Sequence, residues 1–231
     1  MNQAFSNHHH VKKVLTFSEL ADTNFEGDHN AICWERNLNG DFAEIVAKLS
    51  LHEDITEISI EDLLNLELSP AGDIARQIIL NDLKLLSDLG ASPSLNLLKK
   101  YVRDTDFDFI STDVYSYHVD RSPVPTSTFL CTYFGASGDI LPNAQAKQKI
   151  LIPAIREKLK ELNGGEDGFE SFLEENYFDL HYQPLEGAQP INLGIGNLWR
   201  LAVDHPGQQV SPCVHRAPKE NEGEYRLLLI C

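Results

Sequence analysis

The stretch Val114-Tyr115-Ser116-Tyr117-His118-Val119-Asp120 alternates with the two-residue period of a β-strand. Read as a strand, it puts Val114, Ser116, His118 and Asp120 on one face and Tyr115, Tyr117 and Val119 on the other. An imidazole nitrogen and a carboxylate oxygen then project toward one point, as a metal ion requires. His215, far downstream after Ser211-Pro212-Cys213-Val214, is the second imidazole. Two histidines and one carboxylate are the donor set that leaves positions open on non-heme Fe(II). Arg226 is a lone cation at the start of the apolar run Leu227-Leu228-Leu229-Ile230. A buried guanidinium needs an anion, because an unpaired buried charge is costly. Spacing alone leaves two partners open, an acid of this chain or the carboxylate of a ligand.

Outward from this stretch the second half of the chain is β-rich. Short runs rich in β-formers recur at 97–104, 111–120, 126–135, 191–196, 197–207 and 225–231, separated by turn residues. The Pro218–Gly223 turn is expected to set His215 and Arg226 on adjacent strands. A helical insert at 144–177 interrupts the runs, its two halves divided by Asn163-Gly164-Gly165-Glu166-Asp167-Gly168. The first half reads differently. Residues 1–30 form a polar, mobile lead-in, and 31–96 a mainly helical region entered by a strand at Ala31–Leu38. Helices are expected after Asp41, over 58–68, and over 71–90, where Ile74, Ile78, Ile79, Leu83 and Leu86 share a face and Gly90 stops the run. The fold class is therefore α+β, with helices backing a β-sandwich or jelly roll that occupies 97–231.

The chain has 231 residues, 19 basic and 35 acidic, for a formal charge of −16. Phosphate backbones and anionic membranes call for clustered Lys and Arg, so nucleic acid and membrane are not expected partners. Cys33, Cys131, Cys213 and Cys231 form no CxxC pair, which fits a reducing cytoplasm rather than a disulfide framework. His8, His9 and His10 read as incidental residues of a frayed terminus. His52, in His52-Glu53-Asp54, repeats the HxD spacing between helices with no strand around it. His205, in a Pro-Gly turn, competes with His215 or adds a fourth ligand. A closed set of four would favour structural Zn(II) over Fe(II). His181 reads as a packing residue of the insert. No G-x-S-x-G or phosphate-cradling loop is present.

The order His118-Val119-Asp120-Arg121, Thr128-Phe129-Leu130-Cys131-Thr132-Tyr133-Phe134-Gly135, His215-Arg216-Ala217-Pro218 and Arg226-Leu227-Leu228-Leu229 resembles the Fe(II)/2-oxoglutarate oxygenase superfamily. More narrowly it is similar to a bacterial domain family of unknown function, over roughly the last 135 residues (97–231). The resemblance implies a double-stranded β-helix of cupin-like type. It implies His118, Asp120 and His215 as iron ligands and Arg226 as the partner of the distal carboxylate of 2-oxoglutarate. Tyr133 would give a hydroxyl to that carboxylate or face the substrate. Arg121 and Arg216 would orient carboxylates around the ligands, and Trp199 and Arg200 would line the pocket. The implied reaction is hydroxylation of an unidentified small molecule or protein, with the insert as a substrate lid or homodimer contact. The alternatives are a cupin-like protein holding Zn(II) without turnover and a non-catalytic scaffold whose acidic helices bind a partner.

Overall fold

A computed structural model describes residues 10–221 and 223–231. The first half runs β1 (Val11–Val14), α1 (Phe17–Asp22), β2 (Ala31–Trp34), α2 (Phe42–Lys48), β3 (Ile55–Glu57), α3 (Ile60–Leu64) and α4 (Pro70–Asp88). Then come β4 (Ser94–Leu98), β5 (Tyr117–His118), β6 (Ser127–Phe134), β7 (Asp139–Leu141) and β8 (Ala146–Gln148). The chain closes with α5 (Pro153–Asn163), α6 (Phe169–Glu175), β9 (His181–Pro184), β10 (Ile191–Asn192), β11 (Leu198–Ala202), β12 (Val214–Arg216) and β13 (Arg226–Ile230).

Helix starts follow local chemistry. Asp41, Ser59 and Ser69 each accept a backbone N–H from the first turn of α2, α3 and α4, which satisfies donors a helix leaves orphaned. Pro70 adds a preset φ at the first turn of α4.

Among the described residues the strands form two sheets, in the orders β1-β2-β11-β6-β13-β4-β3 and β10-β7-β12-β5-β9-β8. Four antiparallel pairings nest about the connection from β7 to β10: β7 with β10, β6 with β11, β5 with β12, and β4 with β13. Strands β4–β7 and β10–β13 thus form one long hairpin whose successive pairs alternate between the sheets. Rolling adds the contacts of β12 with β7 and of β13 with β6.

Three layers result. Leu98, Leu130, Trp199, Leu201 and Leu228 of the large sheet meet Ile140, Ile191, Leu193 and Cys213 from the other side, forming the core between the sheets. The opposite face of the large sheet presents Leu95, Leu97, Phe129, Cys131, Tyr133, Leu227 and Leu229 to α2 and α4, through Ile45, Ile79, Leu83 and Leu86. Burying such side chains stabilises the fold by about 1.5–3 kcal/mol each. Ile74 lies off this contact and is exposed, while Ala75 takes its place in the core.

Four sequence expectations change. The lead-in is ordered from His10 onward: β1 pairs in parallel with β2, and Leu20 of α1 is buried. His8 and His9 lie outside the described residues. The region 31–96 holds the expected entry strand as β2 (Ala31–Trp34) but adds β3, and the start of β4, to the large sheet. The predicted strand over 111–120 shrinks to Tyr117–His118, because the Asp113 carboxylate accepts the backbone N–H groups of Tyr115 and Ser116 and holds 113–116 in a turn. The insert is more than helical, since β8 joins the small sheet beside β9. Its helices share a separate core with Phe107, Phe109 and Ile110 from the irregular segment before β5.

Candidate metal centre

β5 lies between β12 and β9, and the register sets His118 directly opposite both His215 and His181. Cross-strand partners share a face, so three imidazoles stand side by side. Tyr117, Val119 and Val214 pack on the outer side of this sheet, which turns the alternate residues His118 and His215 toward the interior between the sheets. The His118 and His215 rings are 4.5 Å apart at 54°. Asp120 reaches both, with Oδ1 3.9 Å from His118 Nε2 and Oδ2 3.6 Å from His215 Nε2. Each of the three residues offers one ligand atom to a group no wider than 4.8 Å.

Each donor is held by a second contact. His118 Nδ1 lies 2.8 Å from the Ser116 carbonyl, and His215 Nδ1 lies 3.1 Å from that of Cys213. A carbonyl only accepts, so each Nδ1 carries the proton and each Nε2 keeps its lone pair toward Asp120. The Thr128 hydroxyl donates to Asp120, and the Asp120 carbonyl accepts the Asp204 N–H at 2.8 Å. Burial, then the charge of His215, lowers the His118 pKa to about 4. The imidazole is therefore neutral, as a ligand must be. Burial pushes the Asp120 carboxyl up, but His215, the Thr128 hydrogen bond and His118 outweigh it, and the net shift is downward. Cys213 is also near, but burial raises its thiol pKa, which keeps it protonated and a poor ligand.

The donor set fits a divalent cation. Ligand atoms held about 2.1 Å from one ion in neighbouring positions lie roughly 3 Å apart. Separations of 3.6 and 3.9 Å close to that by small side-chain rotations. Three protein donors leave coordination positions for other ligands.

Arg226 faces the same interior. On β13, Leu227 and Leu229 point to the helices, and Arg226 and Leu228 to the opposite side. Its Nε donates to the Ala136 carbonyl at 2.7 Å, and its Cζ lies 5.9 Å from the Tyr101 ring. The turn beneath it needs glycine: at Gly135 φ is +82°, and a Cβ would fall 2.4 Å from the Tyr225 carbonyl oxygen. Arg226 is 8% exposed, and burial lowers its pKa. The acid acting on it from nearby, Glu220, is engaged by Arg103 and Tyr115. Among the described residues no ion pair includes Arg226. The Thr132 hydroxyl, on the inward-facing set of β6 residues, is buried with no hydrogen-bond partner among them.

Other expected site residues go elsewhere. Tyr133 is on the helix-facing side of β6, with its hydroxyl donating to Asp82 at 2.7 Å and its ring stacked on Phe42. It therefore has no access to the cluster, and its expected role toward a carboxylate is corrected. Arg36 bonds the same Asp82 at 2.8 Å. Arg121 pairs with Asp179 and Asp204 and staples loops, and Arg216 pairs with Asp139 directly across the β12–β7 ladder, so neither engages Asp120. Trp199 is core and gives its indole N–H to the Leu193 carbonyl. Arg200 caps the carbonyls of Leu20, Ala21 and Thr23. His205 contacts Gln208 and lines a separate cavity of about 1050 Å³. It is not a member of the metal-binding group. His52 lies in the turn before β3.

Sequence reasoning gave His181 only a packing role and gave Ser116, Lys149 and Thr128 no role. His181 is 4% exposed, with its ring 5.8 Å from that of His118. Burial, then His118 and Lys149, push its pKa down to about 3. No helix among the described residues is long and apolar enough to cross a membrane. No family model, curated protein or solved structure matches the chain.

Proposed function

We propose that this protein is an Fe(II)/2-oxoglutarate-dependent oxygenase built on a double-stranded β-helix. The observation that carries the proposal is the pairing of an open His-Asp-His set with a buried arginine on the same interior that lacks an acid of its own. The rolled hairpin supports it: two sets of strands, β4-β13-β6-β11 and β5-β12-β7-β10, follow the order expected of a jelly roll. In such a barrel, His118 ends β5 with Asp120 two residues beyond it, His215 sits on the neighbouring β12, and Arg226 begins β13, the last strand.

Bound iron and 2-oxoglutarate would supply the oxidising chemistry that a C–H bond requires. The chain's own work is binding and orientation. His118 and His215 present neutral Nε2 atoms, each fixed by an Nδ1–H bond to a carbonyl two residues earlier. Asp120 adds the negative charge, steered by Thr128. Arg226 offers a planar pair of donors to a carboxylate, and the free Thr132 hydroxyl is available for one further hydrogen bond. The apolar interior of Leu130, Ile140, Ile191 and Leu228 keeps water from this group. The substrate is a small molecule or a protein segment, and hydroxylation is the default outcome.

The test is co-substrate turnover in air. With Fe(II) present, the wild type should convert 2-oxoglutarate to succinate slowly even without substrate, and Asp120→Ala should not. Equal succinate yields from the two proteins would remove the oxygenase function. Zn(II) suits the same His-Asp-His donors. Tight Zn(II) binding with indifference to 2-oxoglutarate would leave a metal-binding protein without turnover.

A further inference from the structure

The two ends of the helical insert converge on one hydroxyl beside the metal centre. At the entrance, Lys149 Nζ donates to Ser116 Oγ at 2.8 Å and to the Ser111 carbonyl at 3.3 Å. At the exit, His181 Nδ1 lies 3.2 Å from the same Ser116 Oγ. Ser116 is also the residue whose carbonyl accepts the Nδ1–H of His118. One serine thus fastens the insert to a metal ligand.

Donor chemistry then fixes how His181 is presented. A lysine ammonium only donates, so Lys149 occupies a lone pair of Ser116 Oγ, and the hydroxyl proton faces two acceptors, His181 Nδ1 at 3.2 Å and the Tyr117 carbonyl at 3.4 Å, of which the nitrogen is the nearer. That proton is suited to His181 Nδ1, which puts the imidazole proton on Nε2. Among the described residues Nε2 has no partner. His181 shares a face with His118 through the register, and its ring is tilted 37° to that of His118. It is nevertheless outside the ligand group of His118, Asp120 and His215. A side chain this buried, with one nitrogen tethered and the other open beside a metal set, is arranged to meet a ligand that the protein itself does not supply.

We propose that His181 is a binding residue of the metal centre rather than a ligand: its Nε2–H donates a hydrogen bond to the small anion or oxygen donor held at the open coordination position next to His118. Ser116 and Lys149 act through it as positioning residues. The proposal rests on the metal-centre reading above but not on oxygenase turnover. Because Lys149 and His181 are the roots of the insert, the insert's packing sets the strength of this contact.

The probe is azide binding to the Co(II)-loaded protein, followed by the Co(II) absorption spectrum. His181→Phe is expected to take up Co(II) within about threefold of wild type, since no donor is lost. Its azide affinity should fall about tenfold or more, the worth of a hydrogen bond to a charged ligand. Ser116→Ala, which keeps the backbone carbonyl for His118, should lose azide affinity in the same direction with Co(II) uptake unchanged. Azide affinity equal to wild type in either variant would overturn the proposal. Loss of Co(II) in His181→Phe to the extent seen in His118→Ala would also overturn it, by making His181 a ligand. Should His181→Phe fail to fold, Ser116→Ala decides alone. A wild type that takes up no Co(II) would remove the metal centre itself, a failure distinct from the others.

Discussion

His118 and His215 face each other across the β5–β12 pair with their rings 4.5 Å apart, and one carboxylate, that of Asp120, lies within 4 Å of both. Strand pairing sets the spacing of the two imidazoles, and Thr128 and the Asp204 N–H hold Asp120 beside them. The donors are therefore in place before any ion binds, and metal affinity should depend on each of them and on the groups that orient them.

Replacing His215 by Ala should lower Co(II) or Zn(II) affinity by about two orders of magnitude or more, because one of three protein donors is lost. Thr128→Val removes only the hydroxyl that steers Asp120 and should cost about 10–100-fold. Isothermal titration on both variants, with circular dichroism to check the fold, measures the difference.

Arg226→Met should leave metal uptake intact and weaken 2-oxoglutarate binding by about tenfold or more, since a charge-assisted contact is lost. Arg226→Lys should not restore it, because an ammonium cannot reproduce the planar fork. Equilibrium dialysis with labelled 2-oxoglutarate tests both.

The correction at Tyr133 has its own consequence. Tyr133→Phe should destabilise by about 1–2 kcal/mol, by removing one donor to a buried carboxylate, and should not alter 2-oxoglutarate binding. Asp82→Ala should cost about 3–5 kcal/mol, because it strands the buried Arg36 guanidinium. Urea denaturation gives both values.

Metal-free protein should lose stability as pH falls from about 6.5 toward 4. His118 and His181 titrate near 4 and 3 when folded, against an ordinary value of 6.5. In that window the unfolded chain binds more protons, so acid favours unfolding, whereas above 6.5 the contribution is complete. A variant with both residues changed to Phe should show a flatter fall of Tm with pH. An equally steep fall would assign the acid sensitivity to other groups.

The parts of this architecture that local chemistry decides are readable from the chain. Asp41 before α2, Pro70 opening α4, and the eight-residue β6 follow from capping and β-propensity. The grouping of His118, Asp120 and His215 rests on strand spacing and one remote histidine, and the three do meet. What escaped reading depends on nonlocal facts. His181 sits in a stretch with no alternation, and its importance comes from pairing with β5, more than sixty residues earlier. Tyr133 shares a face with Phe129 and Cys131, as the period of two requires. However, β6 is apolar on both sides, and pattern alone does not say which side holds the helices. The 111–116 segment has strand-like alternation, but Asp113 satisfies the backbone locally and bends it.

We propose an open iron site that binds 2-oxoglutarate through Arg226. It is tested most directly by an anaerobic absorption titration of metal-free protein with Fe(II), then 2-oxoglutarate, beside Arg226→Ala. A visible charge-transfer band on adding 2-oxoglutarate to the wild type, weakened or lost in Arg226→Ala, is the predicted result. Tight Fe(II) binding with no band at saturating 2-oxoglutarate would contradict it.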